Sequence, residues 1–323
     1  MASVEEKLRE KTGQLLNEGK VKCVIGYERV GPLKARPFFA RSPADARKIH
    51  YSLLCSPNLA VYLTLEEISA GEKIGLVVKG CDSRAVVQLL QEGIVDREKV
   101  VLLGVPCQGI IDLEKLEDEL DKREVLLSSV KEISIEDEVA KVETKDGTIQ
   151  LDRKDVVHDV CINCQHPTPV LHDVLLGEEV KPWGEENYGD VKEIENMDLR
   201  ERWDYWEEKF EKCIRCYACR EACPLCYCEE CLADKTVPTW VRKSVRVSEN
   251  GFFHLMRTLH LAGRCVGCGA CERSCPMGIP LLKLFRKMEK DVKELFGREA
   301  GMDVGQKPLL ATFSLEDPEE FIK

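Results

Sequence analysis

The sequence lacks most of the features that ordinarily name a function. No apolar run approaches the roughly 18 residues that a membrane-spanning helix needs, so no span is expected. The first residues, MASVEEKLREKTG, are charged and hold no apolar signal core; they read as the start of an amphipathic helix in a chain that stays in the cytoplasm. Positive charge is in deficit. Lys and Arg number 47 against 58 Asp and Glu, a net charge of −11, whereas a nucleic-acid surface wants clustered Lys and Arg. There is no G-x-G-x-x-G dinucleotide loop, and no acid–base or nucleophile set stands out. The one excess is cysteine, 17 in 323 residues. Without a signal for export, disulfides do not account for them, because the cytosol keeps thiols reduced. Closely spaced cysteines in such a chain read as metal ligands, and thiolates in this number suit an anaerobic cell.

Eight of the cysteines fall into two copies of one pattern. CIRCYACREACP starts at Cys213 and CVGCGACERSCP at Cys265, and each spells Cys-x2-Cys-x2-Cys-x3-Cys-Pro. Thiolates are soft, anionic donors suited to iron, and the short spacing lets three sulfurs of one turn surround one cubane. The proline breaks the local helix. The pattern resembles the run of bacterial two-cluster ferredoxins, in which the fourth Cys of each copy serves the other cluster. That implies two 4Fe-4S clusters, one on Cys213, Cys216, Cys219 and Cys275, the other on Cys265, Cys268, Cys271 and Cys223. Three more cysteines, Cys226, Cys228 and Cys231, follow at once. They are candidate ligands for zinc or a further cluster, or a source of sulfur near an existing one.

Helical patterns flank the two runs. Asp198 with Glu201 suggests a capped start, followed by Trp203, Trp206 and Phe210 on one face. FFHLMRTLHLAG is expected to be helical with an apolar face at 252, 255, 256 and 259. Pro280 opens a second helix with a face at 281, 284, 285, 288, 292 and 295, closed by Gly297. This layout, over about residues 198–297, resembles the α-helical ferredoxin domains of heterodisulfide-reductase and succinate-dehydrogenase iron–sulfur subunits. The tail, 298–323, is expected to be disordered or to dock on a partner.

The N-terminal part reads as α/β. A helix is expected at 4–18, a buried strand at 21–27, and a helix across ARSPADARKIHYSLLC, where Ser42 can cap and Pro43 suits the first position. Cys23 and Cys55 read as core packing. KIGLVV (73–78) and VVLLGV (100–105) are two buried strands joined by a helix, which predicts a parallel βαβ unit. Ligands collect beyond the carboxyl ends of such strands, where Cys81 and Cys107 lie. Asp82 and Ser83 have a plain role as helix caps and Arg84 as a solvated first-turn residue. The functional alternative is that Lys79, Gly80, Asp82, Ser83 and Arg84 hold an anionic cofactor group at the helix start. Residues 113–125 suggest an exposed helix, and Asp146-Gly147 a hairpin within 141–152. Cys161 and Cys164 follow as Cys-x2-Cys. His158, His166 and His172 read as structural rather than as ligands.

Pro106-Cys107-Gln108, then Cys161, Cys164, Asp173 and Gly177, resemble the pattern of the coenzyme F-420-reducing hydrogenase and formate dehydrogenase beta-subunit family. The resemblance implies a third 4Fe-4S cluster, FAD, and two-electron exchange with a deazaflavin or nicotinamide. The strand-end and loop cysteines Cys81, Cys107, Cys161 and Cys164 supply a matching ligand set. The expected fold is an α/β N-terminal domain with a small parallel sheet (1–185) joined to a mainly α-helical dicluster ferredoxin domain (198–297). The expected function is an iron–sulfur electron-transfer subunit of a soluble multi-subunit oxidoreductase of the formate dehydrogenase, hydrogenase or heterodisulfide-reductase type. Its partners would be other subunits, with a deazaflavin, nicotinamide or ferredoxin as the exchanging species. The competing readings are a flavin-free cluster adaptor and a zinc-stabilised interaction protein.

Overall fold

The computed structural model describes residues 3–65, 71–313 and 315–316. The chain divides into two compact units, one built on residues up to Ser83 and on Asp96–Glu186, the other on Arg84–Val95 and from Asn187 onward.

In the first unit, α1 (Val4–Asn17) starts on a capping box in which Ser3 and Glu6 satisfy each other's amides. Strands β1 (Val24–Gly31) and β2 (Lys34–Ala40) form an antiparallel pair. Strand β2 carries Pro37, which lacks an N–H, and it lies at the sheet edge where that donor is not needed. The helix expected across 40–55 is only a short 3-10 segment at Pro43–Lys48. Ser42 and Asp45 do cap it, but the next amides turn away: His50 donates to the Tyr27 carbonyl and Tyr51 to Glu5. Tertiary hydrogen bonds thus end the helix that local pattern would continue.

Strand β3 (Ile74–Val78) is buried at all five positions, as befits a strand covered on both faces. Helix α2 (Gly80–Gln91) leads to β4 (Val100–Gly104), which pairs parallel with β3. This is the expected βαβ unit. Helix α3 (Leu113–Asp121) packs Leu116 and Leu120 into a core with Val142 and Leu151 of a three-stranded antiparallel sheet, β5 (Val130–Glu136), β6 (Val139–Thr144) and β7 (Thr148–Asp152). The expected hairpin at Asp146-Gly147 joins β6 to β7. Helix α4 (Asp159–Ile162) and strand β8 (Val174–Leu175) follow. The main sheet has the order β2-β1-β3-β4-β8, with every pair except β1–β2 parallel. Cys23 and Cys55 are buried, as expected of packing residues.

In the second unit the described residues form helices and no strand. Helix α5 (Gly189–Glu195) precedes α6 (Leu199–Glu211), which starts on the expected Asp198–Glu201 capping box. Of the three aromatics expected on one face of α6, Phe210 is buried and stacks on Trp206, whereas Trp203 is 62% exposed and faces solvent instead of packing. Helices α7 (Ala218–Glu221), α8 (Val247–His260), α9 (Ala270–Arg273) and α10 (Leu281–Phe296) complete the unit. Helix α10 buries Leu281, Phe285 and Val292 as its spacing predicts. Helix α8 does the reverse of its expected pattern. It buries Asn250, Phe253, His254, Arg257 and Thr258 and leaves Phe252, Leu255 and Leu259 exposed.

Candidate metal centres

The two four-cysteine runs fold alike. Arg215 and Tyr217 in the first copy have φ of 56° and 60°; Gly267 and Gly269, at the equivalent places in the second, have 63° and 68°. The left-handed region costs a residue with a Cβ roughly 1–2 kcal/mol. The first copy accepts that strain twice, and Arg215 is anchored there by donating to the Glu249 carbonyl (2.9 Å) and the Tyr217 hydroxyl (3.0 Å). Each loop then runs into a one-turn helix, α7 or α9, that carries the third cysteine.

The fourth cysteine of each copy lies near the other copy. Burial raises the Cys213 thiol, and raises Cys219 to about 11; Cys275 is among the groups whose charge raises both further. The Cys226 hydrogen bond and burial raise Cys223, and Cys268 adds to the effect. Burial also raises Cys265, and holds Cys271 at about 12. In the metal-free chain Cys213, Cys219, Cys223, Cys265 and Cys271 are therefore protonated at neutral pH, and iron bound at them would release their protons.

Helix α8 aims its buried polar face at these sulfurs. The Asn250 amide nitrogen donates to the carbonyls of Phe210 (2.9 Å) and Cys213 (2.8 Å), which fixes the start of the first run. His254 Nε2 lies 3.3 Å from Cys213 Sγ. Burial first, then the charges of Arg257 and Arg215, push its imidazole down to about 3, so the ring is neutral. Arg257 is 6% exposed, sits over the Phe285 ring, and its Nε points at Cys226 Sγ at 3.5 Å. His254 Nδ1 and both Arg257 Nη atoms are buried without a protein partner. Orphaned buried polar atoms are uncommon in folded chains. Cluster sulfur would supply acceptors for the guanidinium, so the residues present fit an iron–sulfur occupant. Asn250, His254 and Arg257 escape a reading based on apolar spacing; their i, i+4, i+7 interval is the signal that marks one helix face.

In the first unit, Cys81 is the second residue of α2 and Cys107 lies three residues beyond β4. Cys107 is pushed up to about 12 by burial first and then by the charge of Cys161, with Cys164 adding to it. Arg153 is 2% exposed, lies 2.9 Å from the Trp183 ring centroid, and is lowered to about 10 by burial, against the opposing charge of Glu138 and then of Cys161, Cys107 and Cys164. Three of the four predicted ligands thus share one neighbourhood with a buried cation. Cys81 acts on Lys79 and Tyr27, and Cys107 also acts on Tyr27.

The residues expected to hold an anionic cofactor are engaged within the chain. Lys79 is 1% exposed and pairs with Asp82 at 2.8 Å. It also donates to the Tyr27 hydroxyl and to the Pro57 carbonyl. Asp82 accepts from the Lys79 amide, as a cap does. Ser83 donates to the Gly80 carbonyl and accepts from the Val170 amide. Gly80 lies against the chain at His166, where a Cβ would stand 1.6 Å from the carbonyl oxygen. Arg84 belongs to the second unit, where it donates to the Ala300 carbonyl and pairs with Glu299 at 3.0 Å instead of facing solvent.

Cys226, Cys228 and Cys231 line one cavity with Arg220, Arg257 and His260. Among the described residues, no group of three or more His, Cys, Asp or Glu side chains is placed to hold a single metal ion.

Comparison with known families bears on this geometry. Residues 71–196 match the family model for the C terminus of the coenzyme F420 hydrogenase/dehydrogenase beta subunit, and residues 212–280 match a 4Fe-4S dicluster domain. The first match spans Cys81, Cys107, Cys161 and Cys164, and the second spans both cysteine runs. The F420-dependent formate dehydrogenase subunit beta of Methanocaldococcus jannaschii is 24% identical over 84% of this chain and 85% of its own length. The F420-dependent formate dehydrogenase 1 subunit beta of Methanococcus maripaludis is 26% identical over 92% and 90%. A chain of the F420-reducing [NiFe] hydrogenase complex from Methanosarcina barkeri is similar at 19% identity with a TM-score of 0.40, over 50% of this chain and 58% of that one. No helix among the described residues is long and apolar enough to cross a membrane.

Proposed function

We propose that this protein is the iron–sulfur electron-transfer subunit of a multi-subunit, cytoplasmic oxidoreductase of the F420-dependent formate dehydrogenase type. The observation that carries the reading is the joining, in one chain, of an F420 beta-subunit module to a dicluster module, with near full-length similarity to two such beta subunits. The second unit serves as a helical dicluster ferredoxin domain. Cys213, Cys216, Cys219 and Cys275 hold one 4Fe-4S cluster, and Cys265, Cys268, Cys271 and Cys223 the other. Cys81, Cys107, Cys161 and Cys164 hold a third. The clusters supply one-electron steps, and an FAD held by the first unit is the two-electron group that meets the deazaflavin. The chain's own part is to bury the sulfurs, to exclude water, and to place cations beside them: Arg257 in the second unit and Arg153 in the first. The exposed stripe Phe252, Leu255 and Leu259 on α8 is a docking face for a neighbouring subunit.

The test is to assay iron, acid-labile sulfide, zinc and released flavin in anaerobically purified protein. Replacing Cys107 and Cys164 with Ala should remove about four irons and four sulfides per chain. Reduced deazaflavin should bleach the visible cluster absorbance of the wild type. In the variant, dithionite should still reduce the two dicluster centres while deazaflavin no longer does. Zinc without sulfide in the wild type would reject the reading. An unchanged iron count in the variant would reject the third cluster.

A further inference from the structure

The eight cysteines of the ferredoxin-type runs and the four of the first unit leave Cys226, Cys228 and Cys231 without a role. All three line one cavity of about 280 Å³ within the second unit. Arg257 lines the same cavity; it is 6% exposed and both its Nη atoms lack a protein partner, while its Nε points at Cys226 Sγ at 3.5 Å. A buried guanidinium with two unpartnered Nη atoms, lining a cavity that three cysteines also line, calls for an anionic occupant rather than for packing. The space is several times the ~30 Å³ share of one water, so a lone metal ion would leave most of it empty. Three thiols select a soft metal.

We propose that Cys226, Cys228 and Cys231 hold a further iron–sulfur cluster in this cavity, distinct from the two that the ferredoxin-type runs hold. Cys228 and Cys231 give their thiol protons to solvent as their sulfurs bind iron, Cys226 binds as the thiolate that its hydrogen bond with Cys223 favours, and no electron changes hands in that step. The fourth position falls to a donor other than cysteine, and His260 lines the same cavity. Arg257 offsets the negative charge of the assembled centre. The inference goes beyond the function proposed above, which needs none of these three cysteines.

The experiment compares wild type with the Cys228→Ala/Cys231→Ala variant, each full-length and reconstituted anaerobically with ferrous iron and sulfide. Cys228 is exposed and Cys231 half-buried, so the core is not at stake. The expected result is a loss of about four irons and four sulfides, with the EPR signals of the other reduced clusters retained. Differential alkylation gives a second readout on the wild type alone. Cys228 and Cys231 should resist iodoacetamide in the reconstituted protein and react after chelation of the iron. An unchanged iron count, alkylation that is equally fast before and after chelation, or one zinc per chain that the variant loses, would each overturn the proposal. Wild type devoid of iron and sulfide would instead overturn the electron-transfer reading as well, so the two failures are distinct.

Discussion

At the scale of single residues, two buried cations do different work. Lys79 is enclosed and paired with Asp82, which is itself fully buried. Removing one member of a buried ion pair leaves an uncompensated charge and costs roughly 3–5 kcal/mol. Lys79→Met should therefore lower stability by about that amount in chemical denaturation, and Lys79→Met/Asp82→Asn should recover a large part of it. A variant that loses flavin at unchanged stability would restore Lys79 to the cofactor role that its place after β3 suggests. Arg257, by contrast, faces sulfurs rather than a carboxylate. The charges of Cys271, Cys226, Cys223 and Cys219 raise its pKa against the opposing effect of burial. These residues include proposed ligands of both dicluster centres. A positive charge nearby favours the reduced, more negative cluster. Arg257→Gln should lower the midpoint potentials by on the order of 50 mV, about 1 kcal/mol per electron. An EPR-monitored redox titration measures this, and unchanged potentials would show that Arg257 is only packing.

At the scale of elements, α2 and the turns of the two runs decide most. Just past the end of α2, Glu92 accepts from Arg264 through both carboxylate oxygens, at 2.5 and 2.7 Å, and from the Tyr227 hydroxyl. Burial opposes its charge, yet these hydrogen bonds hold its pKa below the ordinary value of 4.5. A depressed carboxylate contributes stability that is present above its unfolded pKa and is lost as pH falls through the folded one. The wild type should thus lose this contribution only below about pH 4.5. Glu92→Gln should be less stable at pH 7 by roughly 1.5–3 kcal/mol, and the difference should shrink as pH falls below 4.5. Denaturant titrations of the metal-free chain at a series of pH values check both the sign and the window. In the turns, Gly267 and Gly269 hold positive φ, and Ala at either should cost roughly 1–2 kcal/mol and speed cluster loss, followed by the decay of visible absorbance.

At the scale of the whole chain, the two units carry separate parts of the proposed task. The β3–α2–β4 unit follows from two apolar runs with a helical segment between them, and the sheet it forms is mixed with its parallel strands together. The capping boxes at Ser3, Ser42 and Asp198 and the hairpin at Asp146-Gly147 follow from local side-chain chemistry. The failures have one physical cause. The helix expected at 40–55 stops early because His50 and Tyr51 find tertiary acceptors. Helix α8 turns its polar face inward because the interior it meets holds sulfur as well as aromatic rings. Strand β2 escapes notice because Pro37 disguises an edge strand. Expression of residues 187–323 alone should show whether the second unit holds its clusters without the first. We expect it to lose stability, because Arg84 and Glu92, supplied by Arg84–Val95, hold Ala300 and Arg264.

The sequence by itself determined the candidate ligands: the number, spacing and softness of the cysteines limit which metals they suit, since short-range covalent spacing survives into any fold. It also determined the strands and helices whose pattern is local. Only the tertiary structure decided what surrounds the sulfurs. The near approach of Cys275 to the first run and Cys268 to Cys223, the buried guanidinium of Arg257, and the gathering of Cys226, Cys228 and Cys231 around one cavity all join residues through packing. Burial and partner geometry arise only when distant segments meet, and these set the protonation of the thiols and the charge that a cluster would feel.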